Sequence, residues 1–419
     1  MAQRILHVPR RFAQSDWGGT ESVILHLCQE QQKQGGQPEI HTSRALHRRA
    51  RETWRAIPIR RYRYCYPFFG LSSEDRAALD RKGGNLLSLD LFAHLLAAPD
   101  VRLYHAHVLK RMGGSVLTAA RLRKKPFLAT LHGNVFDVPP SEARSLIAPQ
   151  EGKFEWGKPF GALFRSRQLL EEADAVLCVG HSEYEKAQAA LPHDRVHYLA
   201  NGVTPESFEG GNRATGRSSL GWPETALVFG CLSRIDPQKN QQVLLAALPL
   251  ARAMAPELDL RVLLGGPVTA PDYLLTLENE IESHGLGDCV RILPAVEAES
   301  PAHRDLLAAM DGFVLPSRHE PFGIVVLEAW AAGLPVIVSK VGGLQRLVDH
   351  QSDGLHFESN QPEALAQALL DLARHPQKRA ALAEAGRGKT RRHFTWKAIA
   401  ERLETIYQKA EERVQARKA

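Results

Sequence analysis

Two doubly wound α/β domains in tandem are predicted by three observations on the sequence. Short aliphatic and β-branched runs alternate with longer helical patterns from one end of the chain to the other. Most of those runs are apolar throughout, as suits parallel strands covered by helices on both faces. The length, 419 residues at 44% hydrophobic and 24% charged, is enough for two cores of roughly 200 residues each.

Taken in order, the strands of the first half are read at 4–9, 38–43, 102–108, 126–133, 175–180 and 195–201. Those of the second half fall at 226–233, 260–266, 290–296, 312–317, 335–340 and 354–359. The stretch 201–223 is rich in Gly, Ser, Thr and Pro and reads as the boundary. The expected organisation is therefore an N-terminal domain over 1–202, a second domain over 203–390, and a terminal helix over 391–419. That helix has Thr395 as its N-cap, with Ile399, Leu403, Ile406 and Tyr407 on one face. No internal repeat or low-complexity tract is present.

Composition narrows the function classes. Five scattered cysteines without a C-x-x-C pair suggest neither a disulfide framework nor a Cys-rich zinc site, and fit a reducing compartment. The apolar run in MAQRILHVPRR is too short for a signal-peptide core, and no stretch of about 18 apolar residues is available to span a membrane. The net charge of +6 is uneven: residues 1–125 hold 22 Lys/Arg against 10 Asp/Glu, and the remainder 31 against 37. The two halves are expected to meet different partners.

The second half carries the chemistry. In SRHEPFGIVVLEAWAAGLPVIVSKVGG, Glu320 follows the strand 312–317 and Glu328 lies inside a helix beginning near Phe322. Ligands of open α/β sheets bind beyond the carboxyl ends of strands, where the amides around Gly323, Ile324 and Val325 would meet an anion. In GCLSRIDPQKN, Arg234 and Lys239 occupy another strand-to-helix loop, a pair of cations suited to a diphosphate. The plainer reading makes Glu320 a helix cap, Glu328 the partner of a nearby base, and the two cations solvated surface groups. Taken together the two motifs favour a sugar nucleotide.

These residues resemble glycosyltransferase family 4, the retaining enzymes with two Rossmann-like domains facing across a cleft (GT-B). The resemblance rests on E-x7-E as EPFGIVVLE, on the R-x4-K of SRIDPQK, on GGTE (18–21), LHGN (131–134) and NGV (201–203), and on the closing FTWKAIAERLETIY. It implies that Arg234 and Lys239 bind the donor diphosphate and stabilise the leaving group. Glu320 would hold hydroxyls of the transferred sugar, Glu328 the ribose, and the EPFGIV segment with Pro321, Phe322, Gly323, Ile324 and Val325 would line the donor site. Gly18 and Gly19 would let a loop approach donor or acceptor closely, and His132 would contact the sugar or support the transition state. The terminal helix would cross back to the N-terminal domain. The reaction implied is a front-face, retaining hexosyl transfer in which no carboxylate attacks the sugar, unlike the two-carboxylate retaining hydrolases.

No metal or other cofactor is expected. His105 and His107 share a strand face, but no third ligand is evident in the sequence, and the family generally works without a bound metal. The acceptor is assigned to the basic N-terminal half, as a glycan or lipid-linked acceptor in envelope or exopolysaccharide assembly. Segment 47–70 interleaves seven arginines with Trp54, Tyr62, Tyr64, Tyr66, Phe68 and Phe69. It reads either as a contact with an anionic membrane surface on the inner leaflet of a cytoplasmic protein, or as a strand, AIPIRRYRY, with solvated arginines. Nucleic acid is not expected, since no binding module accompanies the bases. UDP is the favoured nucleotide. The alternatives are a glycogen- or starch-synthase-like or sucrose-type glucosyltransferase, a sugar-nucleotide epimerase of the same architecture, and a non-catalytic glycan-binding scaffold.

Overall fold

The structure, a computed structural model, describes residues 4–133, 135–136 and 147–418; Asn134 of the LHGN motif lies outside them. The chain forms two compact units, residues 1–201 with 396–419, and residues 202–395.

The N-terminal unit is built on eight strands: β1 Arg4–Val8, β2 Gln37–Ser43, β3 Arg51–Trp54, β4 Ile57–Tyr62, β5 Val101–Ala106, β6 Phe127–Leu131, β7 Ala175–Cys178 and β8 Val196–Tyr198. Their order is β3-β4-β2-β1-β5-β6-β7-β8, and every pairing is parallel except β3 with β4. Strand order reverses between β1 and β5, so the loops after these two strands diverge and open a crevice. Strands β5, β6 and β7 are almost wholly buried, which accounts for their continuous apolar sequences. Strand β4, between edge strand β3 and β2, alternates instead, with Ile57, Ile59 and Arg61 inward and Pro58, Arg60 and Tyr62 half-exposed. AIPIRRYRY thus forms a strand, although Arg61 on it is buried and not solvated. Three helices of this unit carry residues near its crevice and basic edge: α1 Gly19–Lys33, α2 Leu89–Ala97 and α3 His181–Ala190.

The terminal helix, Trp396–Ala416, starts one residue after Thr395 and packs on α1 of this same unit. It buries Ile399, Leu403, Ile406 and Tyr407. Arg102 on β5 fastens it by reaching Glu404 at 2.6 Å and Glu411 at 2.8 Å. A guanidinium held by two carboxylates in this way resists fraying better than an isolated surface pair.

The C-terminal unit has six strands, all parallel: β9 Leu227–Leu232, β10 Leu260–Gly265, β11 Val290–Leu293, β12 Gly312–Leu315, β13 Val336–Ser339 and β14 Leu355–Phe357. Their order is β11-β10-β9-β12-β13-β14, so the reversal falls between β9 and β12. The helices that follow those two strands are α4 Gln241–Met254 and α5 Ile324–Ala331. One apolar cluster joins Val243 and Leu244 on α4 to Phe229 on β9 and to Val262 and Leu264 on β10.

Candidate functional site

Both motifs of the C-terminal unit lie at its switch point. The β9–α4 loop carries Arg234 and Lys239, and the β12–α5 loop carries Glu320 to Gly323. Hydrogen bonds stitch the two loops together. Gln238 Nε2 donates to the carbonyl of His319 at 3.0 Å, the Arg318 amide donates to the carbonyl of Gln238 at 2.8 Å, and Asn240 Nδ2 donates to the carbonyl of Pro316 at 3.3 Å. Across this seam Lys239 Nζ donates to Glu320 Oε2, which also accepts from Ser317 Oγ at 3.3 Å. Both charged side chains are about nine-tenths buried.

Arg234 is half-exposed. Its Nη1 lies 3.0 Å from Asp236 Oδ2, and its Nη2 donates to Gln238 Oε1 at 3.2 Å. Asp236 also accepts from the Lys239 amide at 3.1 Å and from Thr269 Oγ1 at 3.1 Å, so one buried carboxylate shapes the loop that presents both cations.

Helix α5 begins at Ile324, two residues later than the sequence suggests, because Gly323 takes φ +95° as its N-cap. That left-handed conformation suits glycine. The amides of Gly323, Ile324 and Val325 have no acceptor among the described residues. Close to this turn, a Cβ on Gly343 would stand 2.0 Å from the carbonyl of Pro321, so glycine there lets the β13 loop press against EPFG. Glu320 does not cap α5, which excludes the plain capping role.

Glu328 pairs with no base among the described residues. Burial, and then the carboxylate of Glu299, push its pKa up to about 7. Phe322 needs a correction: its ring is 4% exposed and packs edge-on against Phe394 at 6.1 Å, so the side chain anchors the loop and is not available to a ligand. A hollow of 540 Å³ in this unit, beside edge strand β14, is lined by none of Arg234, Lys239, Glu320 and Glu328.

In the N-terminal unit, Gly18 caps α1 in an extended conformation and Gly19 is exposed at the first helical position. A Cβ on Gly18 would stand 3.2 Å from Glu21 Oε2. Glu21 is buried, which raises its pKa, and Arg11 Nε lies 3.7 Å away. His132 follows β6 in a turn clamped by a residue that no sequence motif marks. Glu183 on α3 accepts from the amides of Gly133 at 2.8 Å and Val135 at 3.2 Å.

His132 is also the end of a buried chain. Its Nε2 lies 3.1 Å from His107 Nδ1, and His107 Nε2 lies 3.0 Å from His7 Nδ1. His7 Nε2 is 2.9 Å from Gln31 Oε1, and Gln31 Nε2 donates to the Tyr407 hydroxyl at 3.1 Å. Tyr407 in turn is 2.8 Å from His105 Nδ1, and His105 Nε2 is 2.6 Å from Thr130 Oγ1. Burial keeps all four imidazoles neutral near pH 7: His7 and His132 are lowered to about 4, and His105 and His107 lie well below the usual value.

The third histidine that the sequence did not offer is thus His7, which lies opposite His105 in the β1–β5 pairing. His7, His105 and His107 bring ring nitrogens within 4.8 Å of one another, as a metal site would. Yet all six of those nitrogens already have a hydrogen-bond partner, so an ion would have to break that chain to bind.

Most aromatics of 47–70 turn inward, contrary to the membrane-anchor reading. Trp54 packs edge-on against Trp17 at 4.8 Å, Tyr62 bonds His41 at 2.8 Å, and Tyr64 and Tyr66 both donate to Asp80, at 2.6 and 2.8 Å. Phe68 is buried, while Phe69 remains exposed and stacks on Phe154. The arginines frame a cavity of 190 Å³ at the carboxyl ends of β2 and β4, lined by Arg44, Arg51, Arg60, Arg61 and Arg63 with Asp90 and His94. Three of them face carboxylates (Glu39, Glu52 and Asp90), whereas Arg44 and Arg51 form no ion pair among the described residues.

Residues 17–207 match the family described as Glycosyltransferase Family 4, and residues 212–389 match Glycosyl transferases group 1. A D-inositol 3-phosphate glycosyltransferase of Corynebacterium glutamicum is 30% identical over 424 residues, which cover 94% of this chain and 92% of that one. The chain belongs to glycosyltransferase family 4. A protein of the same name from Thermobispora bispora is 36% identical over 230 residues, 53% of this chain; the match spans about half, 52%, of the relative's length. Among solved structures, Anabaena HepE in complex with UDP superposes with a TM-score of 0.73 over 97% of this chain and 99% of the other. At 20% identity that likeness concerns the fold alone, two parallel-sheet Rossmann-like domains of the GT-B kind. Among the described residues of this family-4 chain, no helix is long and apolar enough to cross a membrane.

Proposed function

We propose that the chain is a retaining glycosyltransferase that moves a hexosyl group from a nucleoside-diphosphate sugar, UDP-sugar first, to a phosphate-bearing acceptor. The observation that carries this is the Lys239–Glu320 pair beside the open amides of α5 at the β9/β12 switch point. The two charges hold each other in place until a donor supplies better partners: phosphate oxygens for Lys239, and sugar hydroxyls for Glu320. Arg234, kept at the loop surface by Asp236 and Gln238, adds a second cation. As the anomeric carbon–oxygen bond breaks, both cations stabilise the departing diphosphate. The acceptor oxygen forms its new bond on the same face, and its proton passes to the leaving phosphate oxygen. Glu328, without a base, accepts the paired hydroxyls of the ribose.

The UDP preference draws on the complex of Anabaena HepE with UDP. The acceptor class draws on the curated relatives named for D-inositol 3-phosphate and on the arginine-lined cavity of the N-terminal unit. No metal takes part in this reading. A lipid-linked envelope acceptor has support only from the exposed Phe69–Phe154 stack.

A thermal-shift titration with UDP, GDP and ADP tests the donor site. One nucleotide at about 100 times its dissociation constant should stabilise the protein by roughly 2.7 kcal/mol. The shift should vanish in Arg234→Ala. No shift with any nucleotide would remove the donor reading. For the acceptor, transfer to an inositol phosphate is compared with transfer to a lipid-linked glycan in anionic vesicles. Loss of the first in Arg44→Ala/Arg51→Ala, with UDP binding unchanged, assigns the cavity; activity with the vesicle alone rejects it.

A further inference from the structure

The chain of hydrogen bonds behind His132 has a polarity. Each link needs one donor and one acceptor, and a neutral imidazole carries one proton on one of its two nitrogens. Gln31 sets the direction, since its amide offers an oxygen to His7 and a nitrogen to Tyr407. His7 must then carry its proton on Nε2 to donate to Gln31, which leaves His7 Nδ1 as an acceptor. His107 donates to it from Nε2 and accepts at Nδ1, and His132 donates there from its own Nε2. On the other side Tyr407 accepts from Gln31 and donates to His105 Nδ1, and His105 donates from Nε2 to Thr130. The chain closes without a conflict. Turning the Gln31 amide over would reverse every link and put the His132 proton on Nδ1.

We infer that Gln31 and Tyr407 are positioning residues which, through His7 and His107, hold His132 in one tautomer, with Nε2 protonated and Nδ1 left as an acceptor for a substrate hydroxyl. Seven side chains from α1, three strands, the two turns after β5 and β6, and the terminal helix take part, and every member but His132 is at most 8% exposed. Water cannot easily rescue a mismatched link at such depth, so the order of one amide passes along the whole chain. The terminal helix thereby acts on the candidate catalytic histidine through Tyr407. The consequence for catalysis rests on the proposed transferase function; the tautomer assignment does not.

The test is a long-range proton–nitrogen NMR correlation of the imidazoles in the full-length protein at neutral pH, with signals assigned through single His substitutions. The expected result is the Nε2-protonated form for His7, His105, His107 and His132 alike. Gln31→Met should leave His132 as a mixture of tautomers and lower kcat at least tenfold without changing UDP affinity, because an imidazole in the wrong tautomer cannot play its part. Gln31→Glu, an acceptor toward His7, should restore the His132 tautomer. A role in packing alone would not give that rescue.

A wild-type spectrum with His132 protonated on Nδ1, or as a mixture, overturns the inference. So does a titration with Co²⁺ that gives a tetrahedral ligand-field spectrum lost in His7→Gln, which would make the cluster a metal centre. An ordered spectrum from a protein that binds no nucleotide would sink the transferase reading while leaving the relay standing.

Discussion

At the switch point of the N-terminal unit the polar groups are neutral, buried and linked in series, from Thr130 through Tyr407 and Gln31 to His132. At the switch point of the C-terminal unit they are charged and held in short pairs, with Lys239 on Glu320, Arg234 on Asp236, and Glu328 on nothing among the described residues. Similar sheets thus prepare two kinds of surface. A neutral chain fixes direction, which suits the exact placement of one proton, while ion pairs store charge that a charged ligand can take over. The difference also gives the two units opposite responses to pH.

The largest expected effect follows from that opposition. His7 has its pKa lowered from 6.5 to about 4 by burial, so folding favours its neutral form. That contribution is present above about pH 6.5 and is lost as pH falls toward 4, at roughly 1.4 kcal/mol per pH unit. His105 and His107 are shifted in the same direction. Hydrogen exchange on the full-length protein between pH 7 and 5 should therefore show β1 and β5 losing protection before β9 and β12 do. Equal loss in both units would break the comparison.

Next in size is Glu320→Gln. Transfer should fall by about a thousandfold, as loss of a preorganised polar contact in an active site commonly costs. Removing one partner of a buried pair also leaves Lys239 unneutralised, a cost of roughly 3–5 kcal/mol. UDP should restore more of that stability in the variant than it adds to the wild type, since the diphosphate replaces the missing countercharge. An identical UDP shift in both proteins would mean that Lys239 does not meet the phosphates.

Tyr407→Phe removes two buried hydrogen bonds while keeping the ring. The expected loss is about 1–3 kcal/mol, read as a lower midpoint in urea. Nucleotide affinity should not change, because the residue belongs to the N-terminal unit.

How much of this is legible in the sequence differs between the units for one physical reason. The C-terminal site is assembled from two contiguous loops, so R-x4-K and E-x7-E display its charged residues directly, although the stitching by Gln238, Asn240 and Arg318 depends on which loops become neighbours. The N-terminal chain draws on positions 7, 31, 105, 107, 130, 132 and 407, and only the spacing of His105 and His107 is visible locally. His7 joins them through strand pairing across nearly a hundred residues, and Tyr407 through the docking of the terminal helix. All twelve strands read from apolar runs are present. Strand β3 escapes that pattern and β4 allows two readings, because short alternating strands near the sheet edge that carry arginine do not look like buried ones. Arg61 meets Glu52 on its inward face only through the β3–β4 ladder.

The smallest effect concerns Glu328 and runs the other way in pH. Burial and Glu299 raise its pKa to about 7, so its protonated form is the one folding prefers. The stability it contributes is complete below about pH 4.5 and is lost as pH rises through 7. A ribose reverses this preference, because its two hydroxyls donate to a carboxylate and stabilise the ionised form. UDP affinity should accordingly increase from pH 6 to 8, by at most tenfold per unit, and level off once Glu328 is ionised without help. The UDP phosphates titrate nearby, so the informative quantity is the difference between the wild type and Glu328→Gln. If both proteins give the same slope, Glu328 does not hold the ribose. If the slope is also smaller with 2′-deoxy-UDP in the wild type, the carboxylate is reading the hydroxyl pair, and the unpaired charge of the C-terminal unit is a binding group.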